Sequence, residues 1–351
     1  MPLLRNTHLH DIAPQVDSAN AHKTIRGSER FARVEYRTMS VASARYRERF
    51  CKRRVSDSEW ATLPRPRSST RITSSALITM RSLLLAVLAA YVVAAIHAVL
   101  AFLNKRRTLQ RVSDWSAAAG FLLHTAALIA DWAIYGHYPL FYLRETLSFL
   151  AWTLVASYAL VVYRYRARPL GSFTLPLVSL LIFLAIIIRP PIQDSAEKSV
   201  LSASWLFPVH TTLLFFAYAA FFVVFLASIM YLLQERELKL KTFSAIFHRL
   251  PSLTTVNEIA TSSAAIGLTL LTVGIATGMV WASSRDGRLW HNDPKEIFAA
   301  LTWILYLLLI LYRSTARWRG RRAAWMGVAG FGLVLFTFFG ARLMGGYHVF
   351  G

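Results

Sequence analysis

From residue 80 onwards the chain is a series of long apolar stretches separated by short polar ones. The stretches cover residues 80–103, 115–135, 141–163, 170–188, 206–233, 262–283, 297–312 and 323–343. A run of roughly 20 apolar residues can cross a hydrocarbon layer of about 30 Å as a helix. The pattern therefore predicts an all-α fold, a polytopic integral membrane bundle of about eight transmembrane helices.

Residues 1–79 have a different composition. They are rich in Arg, Ser and Thr, lack an apolar run of spanning length, and carry 15 Lys and Arg against 7 Asp and Glu. Such a segment buries too little apolar surface to order itself, so we expect a disordered basic extension before a transmembrane domain at 80–351. Three interpretations stay open: a basic tail, a targeting peptide (against which the acidic residues argue), and a start-site artefact with translation beginning at Met80.

Basic residues are distributed unevenly between the two ends of the predicted bundle. The loops after the first, third, fifth and seventh helices hold 16 Lys and Arg, whereas the other loops and the C-terminal end hold 7. Short cytoplasmic loops carry the excess of positive charge, so the first set is predicted to be cytoplasmic, in a bacterial inner membrane. The net charge of +21 thus reflects orientation in a lipid bilayer, and we expect no nucleic-acid partner.

Cysteine chemistry is restricted by the single cysteine of the chain, Cys51. One thiol cannot form an intrachain disulfide, a CxxC redox pair or a thiolate metal site. Thiol chemistry would therefore have to come from a partner.

Aromatic and histidine side chains collect at the predicted outer ends of the helices. They are His137, Trp205, His210, Trp281, Trp290, His291 and His348, and Asp293 lies with them. Tryptophans at a membrane interface are typical of aromatic belts, and a single histidine there can be a solvated or hydrogen-bonded side chain. Neither residue type alone indicates a ligand.

The segment 281–296 contains a helix start. Asp293 suits the N-cap, Pro294 the first helical position and Glu296 the third, as in a capping box. This structural role accounts for these three residues and predicts a helix beginning at Pro294.

Upstream of the cap, the same segment holds Arg288, Trp290 and His291, which capping does not explain. An aromatic ring, a nitrogen ligand and cations together suit a planar, anionic ligand that carries a metal. Haem has these properties, with two propionates and an iron that accepts imidazole.

Residues 286–296 read D-G-R-L-W-H-N-D-P-K-E. This resembles the tryptophan-rich loop of the CcsA/ResC-type cytochrome c biogenesis family, approximately W-G-x-x-W-x-W-D-P-K-E. Asp286 and Asn292 replace two of its tryptophans. The matching positions are Gly287, Trp290 and Asp293–Glu296.

Three further segments carry the resemblance, which covers about 120–351. Gly136–Leu140 with Glu145–Leu147 is similar to the family's G-H-F-P-L…E-S-L stretch. The surroundings of His210 resemble the segment with the first external histidine. Gly345–His348 resembles the G-L-H-S-Y end with the second.

The resemblance implies a function and a site. His210 and His348 would ligate the iron of a b-type haem from both sides at the outer surface, and Trp290 would stack against the ring. Propionates would pair with Arg285, Arg288 or Lys295. The haem would be presented to apocytochrome c, whose CxxCH thiols add to the vinyl groups, together with a separate CcsB/ResB-like membrane partner. The predicted cofactor-binding residues are His210, His348, Trp290, Asp293, Arg288, Gly287 and Trp281.

Departures from the family pattern keep alternatives open. Leu311 stands where complete synthetases have a histidine deep in the helix after the loop, and their large partner domain is missing, which favours a haem-binding subunit over an enzyme acting alone. The degenerate loop also fits a HemX-like modulator of haem biosynthesis that attaches no haem. An unrelated transporter is the third alternative. His97, His124 and His291 are weaker ligand candidates.

Overall fold

The fold consists of long helices connected by short loops. The computed structural model describes residues 74–188, 204–241, 247–314 and 320–340. Helices within these ranges are α1 (Ser74–Asn104), α2 (Arg107–Tyr135), α3 (Leu143–Tyr165), α4 (Gly171–Ile187), α5 (Leu206–Leu240), α6 (Leu253–Asp286), α7 (Pro294–Ser314) and α8 (Arg321–Leu335). Single 3₁₀ turns lie at Arg168–Leu170 and Phe247–Arg249, and a π-helical turn, Phe336–Gly340, follows α8.

The eight helices confirm the predicted fold class. α1 to α7 are long and apolar enough to cross a membrane, and the described residues contain no strand. α8 has 15 residues and continues directly into the π-helical turn. α1 begins at Ser74, before the predicted start at residue 80, and the rest of the predicted extension, 1–73, lies outside the described residues.

Several helices extend beyond their apolar stretches. α5 continues to Leu240, where Lys239 pairs with Glu235 one turn earlier at 2.7 Å. α6 begins at Leu253 because Ser252 caps it, its hydroxyl accepting a hydrogen bond from the Thr255 amide. Hydropathy marks only the lipid-crossing part of a helix, since polar residues beyond the hydrocarbon can continue the backbone ladder.

α5 is the central helix. It packs against α3, α6 and α8, and 67% of its apolar span is buried, more than in any other span. α1 packs against α2 and α4, while α7 completes the other side against α6 and α8. Because α5 is central, its first turns lie among the ends of neighbouring helices.

Candidate functional site

A cavity of about 550 Å³ lies at one end of the bundle, the end that the charge pattern predicts to be outer. Pockets for small ligands and cofactors usually measure roughly 300–1,000 Å³. The walls come from the first turns of α3, α5 and α7, the last turns of α6, the loops before α3 and α7, and the turn after α8. The lining side chains include Leu140, Phe141, Thr146, Phe207, His210, Trp281, Arg285, Leu289, Trp290, Lys295 and Phe338.

His210 enters the cavity from the second turn of α5. Its Nδ1 lies 2.7 Å from the carbonyl oxygen of Gly274 on α6. A carbonyl only accepts hydrogen bonds, so Nδ1 carries the proton in the neutral ring and Nε2 keeps the lone pair. Histidine ligands in metalloproteins are commonly oriented in this way.

The close approach of α5 and α6 holds the His210 ring in place. A Cβ atom built on Gly278 would lie 2.5 Å from Cε1 of His210, and one on Gly274 would lie 2.8 Å from Cδ2 of Leu214. Small residues let membrane helices approach closely. The two glycines, one helical turn apart, make room for the imidazole against α6.

One wall of the cavity is a row of aromatic rings. Phe141 stacks on Phe207 with centroids 4.9 Å apart, and Phe207 contacts Trp281 at 5.5 Å. All three rings are buried and form one cluster. The guanidinium of Arg285 lies over the Trp281 ring, 5.5 Å from its centroid, and ends the row with a positive charge.

The loop before α7 is fixed by the predicted cap. The Asp293 carboxylate accepts a hydrogen bond from the Lys295 amide at 2.8 Å, and Glu296 Oε2 accepts from the amides of His291 and Asp293 at 2.8 and 3.3 Å. α7 begins at Pro294, as predicted. Gly287 ends α6 with a φ of +69°, a conformation that glycine adopts without steric cost.

The structure brings some of the predicted residues together and leaves others aside. His210, Trp281 and Trp290 line the cavity. Asp293 is buried and acts as the cap, whereas Gly287 and Arg288 are exposed and are not among the described lining residues. His348 lies outside the described residues; the preceding Thr337 and Phe338 line the cavity.

The basic side chains that line the cavity in the described part of the chain are Arg285 and Lys295, two of the three that the resemblance proposed for propionates. Trp290 is 40% exposed, and its Nε1 donates to Oδ1 of Asn292 at 2.9 Å. Asn292, which replaces a tryptophan of the family loop, thus orients the tryptophan that remains.

The weaker histidine candidates lie away from the cavity lining. His124 is fully buried between the Tyr91 and Ser148 hydroxyls, at 3.3 and 2.9 Å. His97 contacts the Val93 carbonyl one turn earlier, at 2.7 Å. His291 is held to its own loop, its Nδ1 lying 3.4 Å from Glu296.

Sequence reasoning used the loop before α3 only for the family resemblance and assigned none of its residues to the site. Leu140 and Phe141 line the cavity, and Tyr138 shares a 2.6 Å hydrogen bond with Thr212 on α5. Burial raises the pKa of the Tyr138 phenol, against a smaller opposing effect of that hydrogen bond. The G-H-Y-P-L string was visible in the sequence, but nothing in it indicates that two apolar residues face a site formed by distant helices.

The comparisons with known proteins agree with this arrangement of helices. The family model described as "Cytochrome C assembly protein" matches residues 140–348. The chain belongs to that family. Its role is therefore in cytochrome c maturation, with haem involved.

Relatives of known family membership cover most of the chain. It is 31% identical over 252 residues to the cytochrome c biogenesis protein CcsA of Prochlorococcus marinus (strain MIT 9301), covering 66% of this chain and 81% of that protein. For the CcsA of Heterosigma akashiwo (strain NIES-293 / 8280G21-1) the identity is 29%, with coverages of 63% and 79%.

A solved structure is similar in fold. The structure titled "Cytochrome c Heme Lyase CcmF" superposes with a TM-score of 0.56 at 17% sequence identity. The match covers 76% of this chain and 47% of that one, so the chain spans about half the length of that protein. At this identity the likeness concerns the fold alone.

Proposed function

We propose that this protein holds haem in the cavity at the outer face of a bacterial inner membrane and presents it, as substrate, for attachment to apocytochrome c. The observation that carries the proposal is His210, whose protonated Nδ1 is held by the Gly274 carbonyl inside a cavity with aromatic walls and two basic side chains. The predicted orientation of the helices puts this cavity on the side where apocytochromes are matured.

The residues present fit haem. The imidazole supplies one axial nitrogen, and the flat rings of Phe207 and Trp281 suit a planar macrocycle. Arg285 and Lys295 supply positive charge for two propionates. The described ranges contain no group of three or more His, Cys, Asp or Glu side chains that could chelate a bare metal ion.

We assign His348 as the second axial ligand of a bis-histidine, b-type site. The support is its position in the chain: the turn after α8 lines the cavity through Thr337 and Phe338, and the chain then continues to His348. The iron would hold the macrocycle between two imidazoles, while the thiols come from the CxxCH of the apocytochrome. The family to which the chain belongs supports a separate CcsB/ResB-like partner, so we propose a haem-binding subunit rather than an enzyme complete in one chain.

The first test is the visible spectrum of the purified full chain, oxidised and reduced. We expect a low-spin haem spectrum with sharp reduced bands, lost in His210→Ala and in His348→Ala. His97→Ala is the matched control, because His97 also has its Nδ1 2.7 Å from a backbone carbonyl but lies away from the cavity; its spectrum should equal that of the wild type.

Two outcomes would count against the proposal. A chain that stays haem-free after supplementation with haem would remove the ligand assignment. A spectrum that survives both histidine substitutions would place haem elsewhere.

The HemX-like alternative rests on two positions at which this chain differs from the family pattern, one in the loop and one in α7. Asn292 replaces a tryptophan, and its side-chain oxygen accepts a hydrogen bond from Trp290. Leu311, which is 54% exposed near the end of α7, replaces a deep histidine of complete synthetases. A chain that binds no haem and changes porphyrin synthesis when deleted, with cytochrome c levels unchanged, would establish this alternative.

A further inference from the structure

The loops before α3 and α7, both at the cavity, have similar backbone arrangements. Gly136 ends α2 and Gly287 ends α6, both with left-handed φ values, +70° and +69°. Each glycine is followed by a loop and then by a helix whose third residue is a glutamate, Glu145 in α3 and Glu296 in α7. The number of residues between glycine and glutamate is the same in both cases.

The two glutamates make equivalent contacts. Glu145 Oε2 accepts hydrogen bonds from the amides of Phe141 and Tyr142 at 3.0 and 3.3 Å, just as Glu296 accepts from two amides of its own loop. Each carboxylate also faces a histidine of its own loop. Nδ1 of His137 lies 3.9 Å from Glu145, and Nδ1 of His291 lies 3.4 Å from Glu296. Each loop is thus fastened to the helix that follows it.

The loops differ in the charge that they present. The residue before each glutamate is basic, Arg144 or Lys295. Arg144 is buried and turned away to Asp131, its Nη2 lying 3.2 Å from both carboxylate oxygens. Lys295 instead lines the cavity. The first loop therefore contributes only the apolar side chains of Leu140 and Phe141 to the cavity wall.

The aromatic row connects these two ends. It begins at Phe141 on the first loop, continues through Phe207 and Trp281, and finishes under the guanidinium of Arg285. Among the described residues, the charged side chains that line the cavity are Arg285, Lys295 and Glu296, from α6 and α7. Along this wall the surface changes from apolar to charged.

From this gradient we infer that the loop from Gly136 to Tyr142, with Glu145 as its positioning residue, is a second ligand-binding loop that receives the apolar edge of the ligand. Arg285 and Lys295 receive the anionic edge. The inference rests on the proposed function and adds an orientation: the ligand is a porphyrin dicarboxylate with its carboxylates towards α6 and α7 and its vinyl-bearing edge towards Leu140 and Phe141.

The test uses iron-free porphyrins, so that axial ligation does not contribute. The purified full chain is titrated with protoporphyrin, with its dimethyl ester, which lacks the charges, and with haematoporphyrin, in which hydroxyethyl groups replace the vinyls. The wild type should prefer protoporphyrin to both. Leu140→Asn should reduce the preference over haematoporphyrin by about tenfold, since a polar group then meets the added hydroxyls, and leave the preference over the ester unchanged. Lys295→Met should reduce the preference for protoporphyrin over its dimethyl ester and leave the preference over haematoporphyrin unchanged.

Glu145 is tested as a positioning residue by two variants. Glu145→Ala removes the acceptor of both loop amides and should reproduce the Leu140→Asn pattern, whereas Glu145→Gln keeps an acceptor oxygen and should restore the wild-type pattern. Gly332→Ala on α8 is the control outside the loop, because a Cβ there would meet no atom within 4 Å. If Leu140→Asn does not fold, Leu140→Ala should give a smaller loss in the same direction.

The outcomes separate this inference from the proposed function. A Leu140 variant that weakens all three porphyrins equally would overturn the orientation while leaving porphyrin binding intact. A wild-type chain that binds none of the three would overturn the proposed function itself.

Discussion

At the scale of single residues, the site depends on how closely α6 approaches His210. Gly278 has no side chain, and the imidazole occupies the space that a Cβ would need. Interiors are close-packed, so one methyl group placed against a side chain displaces it. The orientation of the proposed axial ligand is therefore set by a residue on another helix.

Gly278→Ala should reduce haem affinity about 10–100-fold, the range for losing the group that orients a metal ligand. The measurement is a haem titration of the purified protein followed in the Soret region. Gly332→Ala on α8 is the matched control, because a Cβ there would meet no atom within 4 Å. Equal affinities for the two variants would show that the imidazole tolerates displacement.

At the scale of elements, the loop before α7 depends on its helix cap. Asp293 and Glu296 together satisfy three backbone amides, and they also fix the loop that carries Trp290. The cap is thus part of the site although its carboxylates serve the backbone.

Asp293→Ala should lower stability by about 1 kcal/mol, as expected for a lost N-cap. The effect is local, so the loop should open more often and trypsin should cut faster after the exposed Arg288. Asp293→Asn keeps a side-chain oxygen and should be cut at the wild-type rate. Faster cleavage in both variants would assign the effect to the negative charge at the helix N-terminus instead of the hydrogen bond.

The elements also show how far a sequence can be interpreted. The apolar stretches located every helix, and the residues around 293 fixed the start of α7. The part played by Phe207 was not predictable, because α5 is apolar on all sides and hydropathy does not say which face turns inward. Rotation about the helix axis is decided by packing, here at Gly274 and Gly278.

At the scale of the whole molecule, the cavity can present haem to apocytochrome c only if its end of the bundle faces outwards. The unequal distribution of Lys and Arg predicts that orientation. The exposed Arg288 lies at the predicted outer end, and the exposed Arg107, the first residue of α2, lies at the opposite end. These two positions are matched probes.

In a Cys51→Ser background, Arg288→Cys should react with a membrane-impermeant maleimide in intact spheroplasts. Arg107→Cys should react only after the membrane is permeabilised. Mass-shift labelling on a gel measures both. The reverse pattern would place the cavity in the cytoplasm and remove apocytochrome c as the acceptor.

The sequence by itself determined the approximate positions of the eight helices in the described part of the chain, the start of α7, and the choice of His210 as a candidate ligand. Those properties depend on stretches and caps that are local in the chain. Tertiary structure decided which side chains share the cavity: it selected Lys295 and Arg285 over the exposed Arg288, neutralised Arg144 with Asp131, and set the loop before α3 beside the loop before α7. The physical reason is that the cavity is formed where five separate helix ends meet, and only packing determines which residues face each other there.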